Sequence, residues 1–235
     1  MPGKLLLLPN VLEESLPHEL ILPPAVKPAV ESLSGLICES EKAGRRYLRR
    51  FLSHERMAAT PLRLLNEHTP PAEIETLLAP IANGETWGVI SDAGLPCIAD
   101  PGADLVAAAR RTGVRVEAFP GPSSILMALQ LSGFSGQRFC FHGYLPREPL
   151  ELERAVKALE KRAAGETQIW IEAPYRSAKM IESLKLWLQP TTWLCVAASL
   201  TTPEEKVRSA RVQDWKKGGF EIGKEPAVFL ILYRT

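Results

Sequence analysis

Short apolar runs separated by longer amphipathic stretches constrain this chain more than any other feature. The runs are KLLLL (4–8), GLICES (35–40), TWGVISD (86–92), VRVEAFP (114–120), FCFHGYL (139–145), TQIWIEA (167–173), WLCVAASL (193–200) and AVFLILY (227–233). Each has the length of a strand and an apolar content that demands burial. Most of the intervening stretches have helical periodicity. Residues 42–54 set Leu48, Phe51 and Leu52 on one face, and 73–82 set Ile74, Leu77, Leu78 and Ile81 on another. Residues 103–112 follow the breaker DPG, and 150–164 and 176–188 are amphipathic. Strand and helix in alternation predict an α/β protein with largely parallel sheet. Two segments depart from that pattern. EEKVRSARV (204–212) alternates polar and apolar residues, as an antiparallel strand with one wet face does. AVFLILY has no alternation and predicts burial on both faces. We expect two α/β domains with mixed, largely parallel sheets, divided at PGPSS into residues 1–120 and 121–235, or shortly after SGFSGQ (132–137). The proline-rich LPPAVKP (22–28) reads as a connection.

Composition enters where it excludes. With 28 Lys and Arg against 27 Asp and Glu, no overall basic field attracts nucleic acid, so any basic footprint is local. Cys38, Cys97, Cys140 and Cys195 are far apart and form no CxxC pair, which argues against a zinc site or a disulfide framework and for reduced, mostly buried thiols. No metal is expected. The opening MPGKLLLLPN is too short for a signal-peptide core or a membrane span, so no membrane association is expected and the cytoplasm is the expected compartment.

Three unusual segments sit at predicted carboxyl ends of strands, where parallel sheets bind ligands. SDAGLPCIADPGADL (91–105) follows TWGVI, PGPSS (120–124) follows VRVEAF, and EAPYR (172–176) follows QIWI. Gly94 and Pro96 suit a close backbone approach to a flat ligand. Asp92 can hold a hydroxyl or an ammonium group, though Asp before a glycine is also an ordinary turn signal. Ser123 and Ser124 open a helix whose free N–H groups favour an anion, though serine there is also an ordinary cap.

In that order, SDAGLPCIADPGADLVAAAR, PGPSSILMALQLSGF, FCFHGYLP and IWIEAPYRS resemble the tetrapyrrole (corrin/porphyrin) methylase superfamily. They look most like its ribosomal RNA small subunit methyltransferase I branch, where the text reads roughly SDAGxPxISDPG, PGPSA, FxGFLP and YESPHR. The resemblance covers about residues 85–235 well and the first 84 weakly. It implies S-adenosylmethionine as methyl donor, held in a cleft between two α/β domains, and a homodimer. Matched by motif, Pro9 lies on the loop after the first strand, and Ser91, Asp92, Ala93 and Gly94 line the donor site with Cys97 and Ile98 nearby. Ser123 and Ser124 take the PGPSA position, and Glu172 and Ala173 take the YESP position. Thr201 follows the next strand, and Pro226 and Ala227 precede the last. The chain departs from the branch in three places. LLPNVLEES lacks the glycine of the branch's first loop. ESEKAGRR keeps only Glu39 of an EDTR-type segment, with Arg45 or Arg46 as its arginine. The chain ends after AVFLILYRT, where that branch continues.

Methyl transfer from a sulfonium needs an aligned acceptor and exclusion of water, and neither a metal nor a covalent nucleophile. A ribose hydroxyl acceptor benefits from a base. The candidates are Asp92, Glu172 and His142. Glu172 ends an apolar strand where burial would raise its pKa, or it is a strand-end carboxylate paired with Arg176. His142 is a base or a packed, hydrogen-bonded histidine. The helix within 43–56, with Arg45, Arg46, Arg49 and Arg50, is a candidate grip on ribosomal RNA or a solvated face. Three readings follow. The first is an S-adenosylmethionine-dependent methyltransferase with RNA ribose 2'-O as preferred acceptor, or else a tetrapyrrole or other small molecule. The second, a dinucleotide oxidoreductase, is disfavoured because LLLLPNVLEE has no GxGxxG. The third is an inactive module that senses the cofactor.

Overall fold

A computed structural model describes residues 3–233, which divide into two compact units meeting between Ser123 and Ser124. Ten strands and nine α-helices are present among the described residues.

The first unit holds β1 (Lys4–Leu7), α1 (Val26–Glu31), β2 (Gly35–Cys38), α2 (Glu41–Arg49), α3 (His54–Ala59), β3 (Leu62–Leu64), α4 (Glu73–Ala82), β4 (Thr86–Val89), α5 (Ala103–Arg111) and β5 (Arg115–Ala118). Its sheet has the order β3-β2-β4-β1-β5, and every pairing is parallel. Parallel strands need crossovers that cover both faces with helices, so the strands must be apolar on both sides. KLLLL shows how. Leu5 packs with Ile74, Leu77, Leu78 and Leu105 of α4 and α5. Leu6 and Leu8 turn to the opposite core with Val26, Val30, Tyr47 and Met57 of α1, α2 and α3.

The second unit holds α6 (Ser124–Ser132), β6 (Phe139–Tyr144), α7 (Pro149–Arg162), β7 (Thr167–Glu172), α8 (Pro174–Trp187), β8 (Trp193–Ala198), β9 (Lys206–Arg211), α9 (Val212–Trp215) and β10 (Ala227–Leu232). The sheet order is β6-β7-β10-β8-β9. Here β6 and β7 run parallel, and the other three pairings are antiparallel. The largely parallel description thus fits the first sheet, and the second is mixed. β10 lies at the centre with all six residues buried, as its unbroken apolar text requires. Phe229 stacks on Trp170 with ring centroids 5.7 Å apart. β9 is an edge strand, and its Arg208 lies over the Trp215 ring at 4.7 Å.

Three sequence expectations change. The single helix over 42–54 is two, because Ser53 starts a new one by accepting from Arg56 N at 3.3 Å. Residues 26–28 of the expected connection (22–28) begin α1, which runs to Glu31. Pro28 is tolerated there because it is the third helical residue, where the N–H has no intrahelical partner to lose. The three-residue β3 was not anticipated, being too short to show a period. Among the described residues no helix is long and apolar enough to cross a membrane. All four cysteines are free, with Cys38 and Cys195 buried and Cys97 and Cys140 half-buried.

Candidate active site

In the first unit, register brings the loops together. Leu7 pairs with Val89 on one side and Ala118 on the other, and Ile37 also pairs with Val89. Pro9, Glu39, Ser91 and residues 119–123 therefore leave the sheet at one level. The adjacent strands β1 and β4 send the chain to opposite sides, β1 toward β2 and β4 toward β5. Such a reversal opens a crevice at the carboxyl ends of the strands.

The loop after β4 is bent at several points. Gly94 (φ +72°), Cys97 (+67°), Ala99 (+66°) and Gly102 (+133°) all take left-handed backbone. For Cys97 and Ala99 this costs of order 1–3 kcal/mol each, so the surroundings must hold them. Asn10 is one such support. It is 1% exposed, and its Nδ2 donates to the carbonyls of Ser91 (3.0 Å) and Asp92 (2.9 Å). Its backbone N–H donates to Gly94 O at 2.8 Å. From the other side, Glu39 Oε1 accepts from Asp92 N at 3.0 Å. The loop after β5 closes against Pro9 only because residue 121 is glycine: a Cβ there would lie 2.1 Å from Pro9 Cβ. These supports leave Asp92, Ala93 and Ile98 exposed, Cys97 half-buried, and Pro9, Ser91 and Gly94 buried beneath them.

Acidic groups collect at this crest. Burial pushes the Glu39 carboxyl above its ordinary value, and the charges of Asp100, Asp92 and Glu67 push it further. Asp100 is raised by burial first and by Asp92 as well, while the Ser91 hydroxyl acts in the opposite direction. That hydroxyl is buried and lacks a well-formed hydrogen bond. A cavity of about 280 Å³ opens on the outer side of the loop, lined by Asn66, Glu67, Thr69, Asp100, Pro101 and Gly102 among others. The crest therefore presents carboxylates suited to a ligand with ammonium, sulfonium or ribose hydroxyl groups.

The second unit gathers its own set. Ala227 pairs with Glu172 on one side and Ala198 on the other, so the ends of β7 and β8 and the start of β10 share one edge of the sheet. Glu172, Ala173, Thr201, Pro226 and Ala227 meet there. Glu172 is buried, accepts from Ala173 N at 2.8 Å and pairs with Arg176 at 3.2 Å. Burial raises its pKa, while Ala173 N–H, Arg176 and Arg147 act against that. Arg176 also donates to Pro146 O at 3.0 Å, which ties the start of α8 to the loop after β6. Ser199 (φ 52°) and Thr201 (φ 72°) strain the turn after β8. Tyr144 and Tyr175 stand 62% and 68% exposed at this edge.

His142 stands apart from that edge. Its Nε2 meets Gln168 Oε1 at 2.8 Å, and the Gln168 amide turns back to Glu166. Ser123 closes the first unit, and Ser124 opens α6. Most of the basic helix is engaged inside the first unit. Arg45 donates to Thr60 O at 2.8 Å and to Met57 O. Arg46 pairs with Glu14 at 3.0 Å, and Arg50 pairs with Glu14 and with Asn10 Oδ1. Sequence reasoning missed Asn10, Arg50 and Asp100 as site residues. PN after an apolar run reads only as a turn, and nothing local announces that an arginine forty positions on will reach it.

This is a two-unit α/β protein whose first unit carries a strained, acidic loop at the carboxyl edge of a parallel sheet. The family profile for tetrapyrrole (corrin/porphyrin) methylases matches residues 21–215, and the chain belongs to that family. It is 35% identical over 148 residues to ribosomal RNA small subunit methyltransferase I of Escherichia coli O157:H7, covering 63% of this chain and 51% of that one. The protein of the same name from Xylella fastidiosa is 34% identical over 172 residues, covering 73% and 61%. The chain thus spans about half to three fifths of the length of these curated relatives. Among solved structures, the methyltransferase CobJ shares the fold at a TM-score of 0.64 and 17% identity, covering 99% of this chain and 100% of that one.

Proposed function

We propose that the chain is an S-adenosylmethionine-dependent methyltransferase whose acceptor is ribosomal RNA, at a ribose 2'-oxygen. The observation that carries the donor assignment is the crest of the first unit. There a strained loop is held from both sides so that Asp92 and Ala93 face outward beside Glu39 and Asp100. When bound, the donor supplies a methyl carbon on a cationic sulfur, which departs as a neutral thioether. The chain's part is to hold and orient. Asp92 is the exposed carboxylate of the loop, able to bind a donor ammonium or hydroxyl or to accept the acceptor's hydroxyl proton. Glu172 is buried against Ala173 N–H and Arg176, which supports a role in fixing the β7–α8 turn. His142 is engaged with Gln168 and is left out of the chemistry.

The names of the relatives support RNA as acceptor. So do Tyr144 and Tyr175, whose exposed rings offer stacking faces to unpaired bases. The test has two stages. Calorimetry should show S-adenosylmethionine binding and no NAD binding. Labelled methyl should then pass to undermethylated ribosomal RNA, and nuclease digestion should return the label on a 2'-O-methyl nucleoside. Label on a tetrapyrrole alone would replace the acceptor. Donor binding without transfer to either would make the chain a sensor.

A further inference from the structure

We infer that Arg50 and Asn10 form a strut that sets the aim of the Asp92 loop, making both positioning residues for donor binding. The inference rests on the donor reading above and adds residues that the sequence motifs do not contain. An asparagine side chain has two N–H donors and an acceptor oxygen with two lone pairs. In Asn10 all four are used. Nδ2 donates to Ser91 O and Asp92 O at 3.0 and 2.9 Å. Oδ1 accepts from Val11 N and from Arg50 Nη1, each at 2.9 Å. With the Asn10 N–H on Gly94 O, one residue holds the carbonyls of three loop residues.

The Asp92 main chain is thereby fixed at its oxygen by Asn10 and at its nitrogen by Glu39. With both ends held, the direction of the Asp92 side chain follows from the strut. Arg50 sits at the end of α2 with only 12% of its side chain exposed, and its other nitrogen pairs with Glu14. The guanidinium keeps the Asn10 amide in the one flip that presents NH₂ to the loop, because the reverse flip would set NH₂ against a cation. A carboxylate at position 10 would instead meet two carbonyl oxygens. The glycine absent from LLPNVLEES is thus not needed to shape the crest, since a side-chain amide performs the fixing.

The test combines donor affinity with loop protection. Asn10→Asp, a near-isosteric change, removes both bonds to the loop carbonyls. We expect S-adenosylmethionine affinity to fall roughly tenfold to a hundredfold, the scale of losing two neutral hydrogen bonds and setting a carboxylate against two carbonyl oxygens. Amide hydrogen exchange across residues 91–98 should quicken while the core of β1 and β4 keeps its protection. Arg50→Met should weaken binding roughly tenfold, and Arg50→Lys should recover part of it. Arg46→Met loses a Glu14 partner but nothing on Asn10, so it should bind as the unaltered protein does. Unaltered affinity and unaltered exchange in Asn10→Asp would overturn the strut. If the unaltered protein binds no donor, the donor reading fails, and exchange across 91–98 in the variants still decides the strut. If Asn10→Asp does not fold, Arg50→Met with the same exchange measurement decides it.

Discussion

At the scale of single residues, the crest is a compromise between burial and charge. Glu39 gives one oxygen to Asp92 N at 3.0 Å yet sits among Asp100, Asp92 and Glu67. Its folded pKa lies above the ordinary value of 4.5, first because of burial. The folded state therefore holds this proton more tightly than the unfolded chain does. The associated stability is full below about pH 4.5 and is lost as pH rises through the folded value. Glu39→Gln keeps the acceptor oxygen and removes the charge. Its melting temperature should match that of the unaltered protein near pH 4 and exceed it increasingly toward pH 7. A constant gap across that range would show that Glu39 carries no raised pKa. Asp92 differs, being exposed at the crest and, under the proposed function, facing the donor. Asp92→Ala should weaken S-adenosylmethionine binding at least tenfold and move the melting temperature by less than about 2 °C, the scale of a neutral surface substitution. Full donor affinity in that variant would remove Asp92 from the site.

At the scale of elements, α2 and α3 show how far the sequence could be read. The arginine spacing at 45, 46, 49 and 50 is plain, and so is the apolar face opposite it. What the spacing cannot show is that α3 folds back so that its last carbonyls need a donor. Arg45 meets that need at Met57 O and Thr60 O. Arg45→Ala should cost about 1.5–3 kcal/mol in urea unfolding, the scale of hydrogen bonds from a charged donor, while exposed Arg49→Ala should change stability by less than about 0.5 kcal/mol. Equal effects would return the helix to a plain solvated face. Strands and long helices were legible because their periods persist over whole elements. Pro9, Ser91–Gly94 and Glu172–Ala173 could be singled out because they match the motifs of a family the chain resembles, at the ends of predicted strands. Asn10, Arg50 and Asp100 were not, because each acts through a partner brought close only by folding. The split of 42–54 was not, because Ser53 reads equally well as a helix residue and as a cap.

At the scale of the whole molecule, charge decides what kind of RNA contact is open to the chain. The net charge is +1, and Arg45, Arg46 and Arg50 are occupied within the first unit. A protein that binds RNA through a broad basic face releases many counterions, and its affinity then falls steeply with salt, by about 0.7 to 0.9 log units per log salt for each phosphate neutralised. Those three side chains are therefore already engaged and are poor candidates for phosphate contacts. Tyr144 and Tyr175, by contrast, expose their rings near Arg147 and Lys179 on the second unit, where the Arg176 bond to Pro146 O holds the two segments together. Stacking on an aromatic ring is worth about 1–3 kcal/mol per base, and an uncharged stacking contact releases no counterion. If the proposed RNA contact is carried by these rings, it should have a shallow salt slope, of magnitude about 4 or less, between 50 and 200 mM. Tyr175→Ala should weaken RNA binding roughly tenfold while leaving the slope and the affinity for S-adenosylmethionine in place. Fluorescence anisotropy with a labelled ribosomal RNA stem-loop measures both. A slope near −8, insensitive to Tyr175→Ala, would put the phosphate backbone in charge and the tyrosines outside the interface.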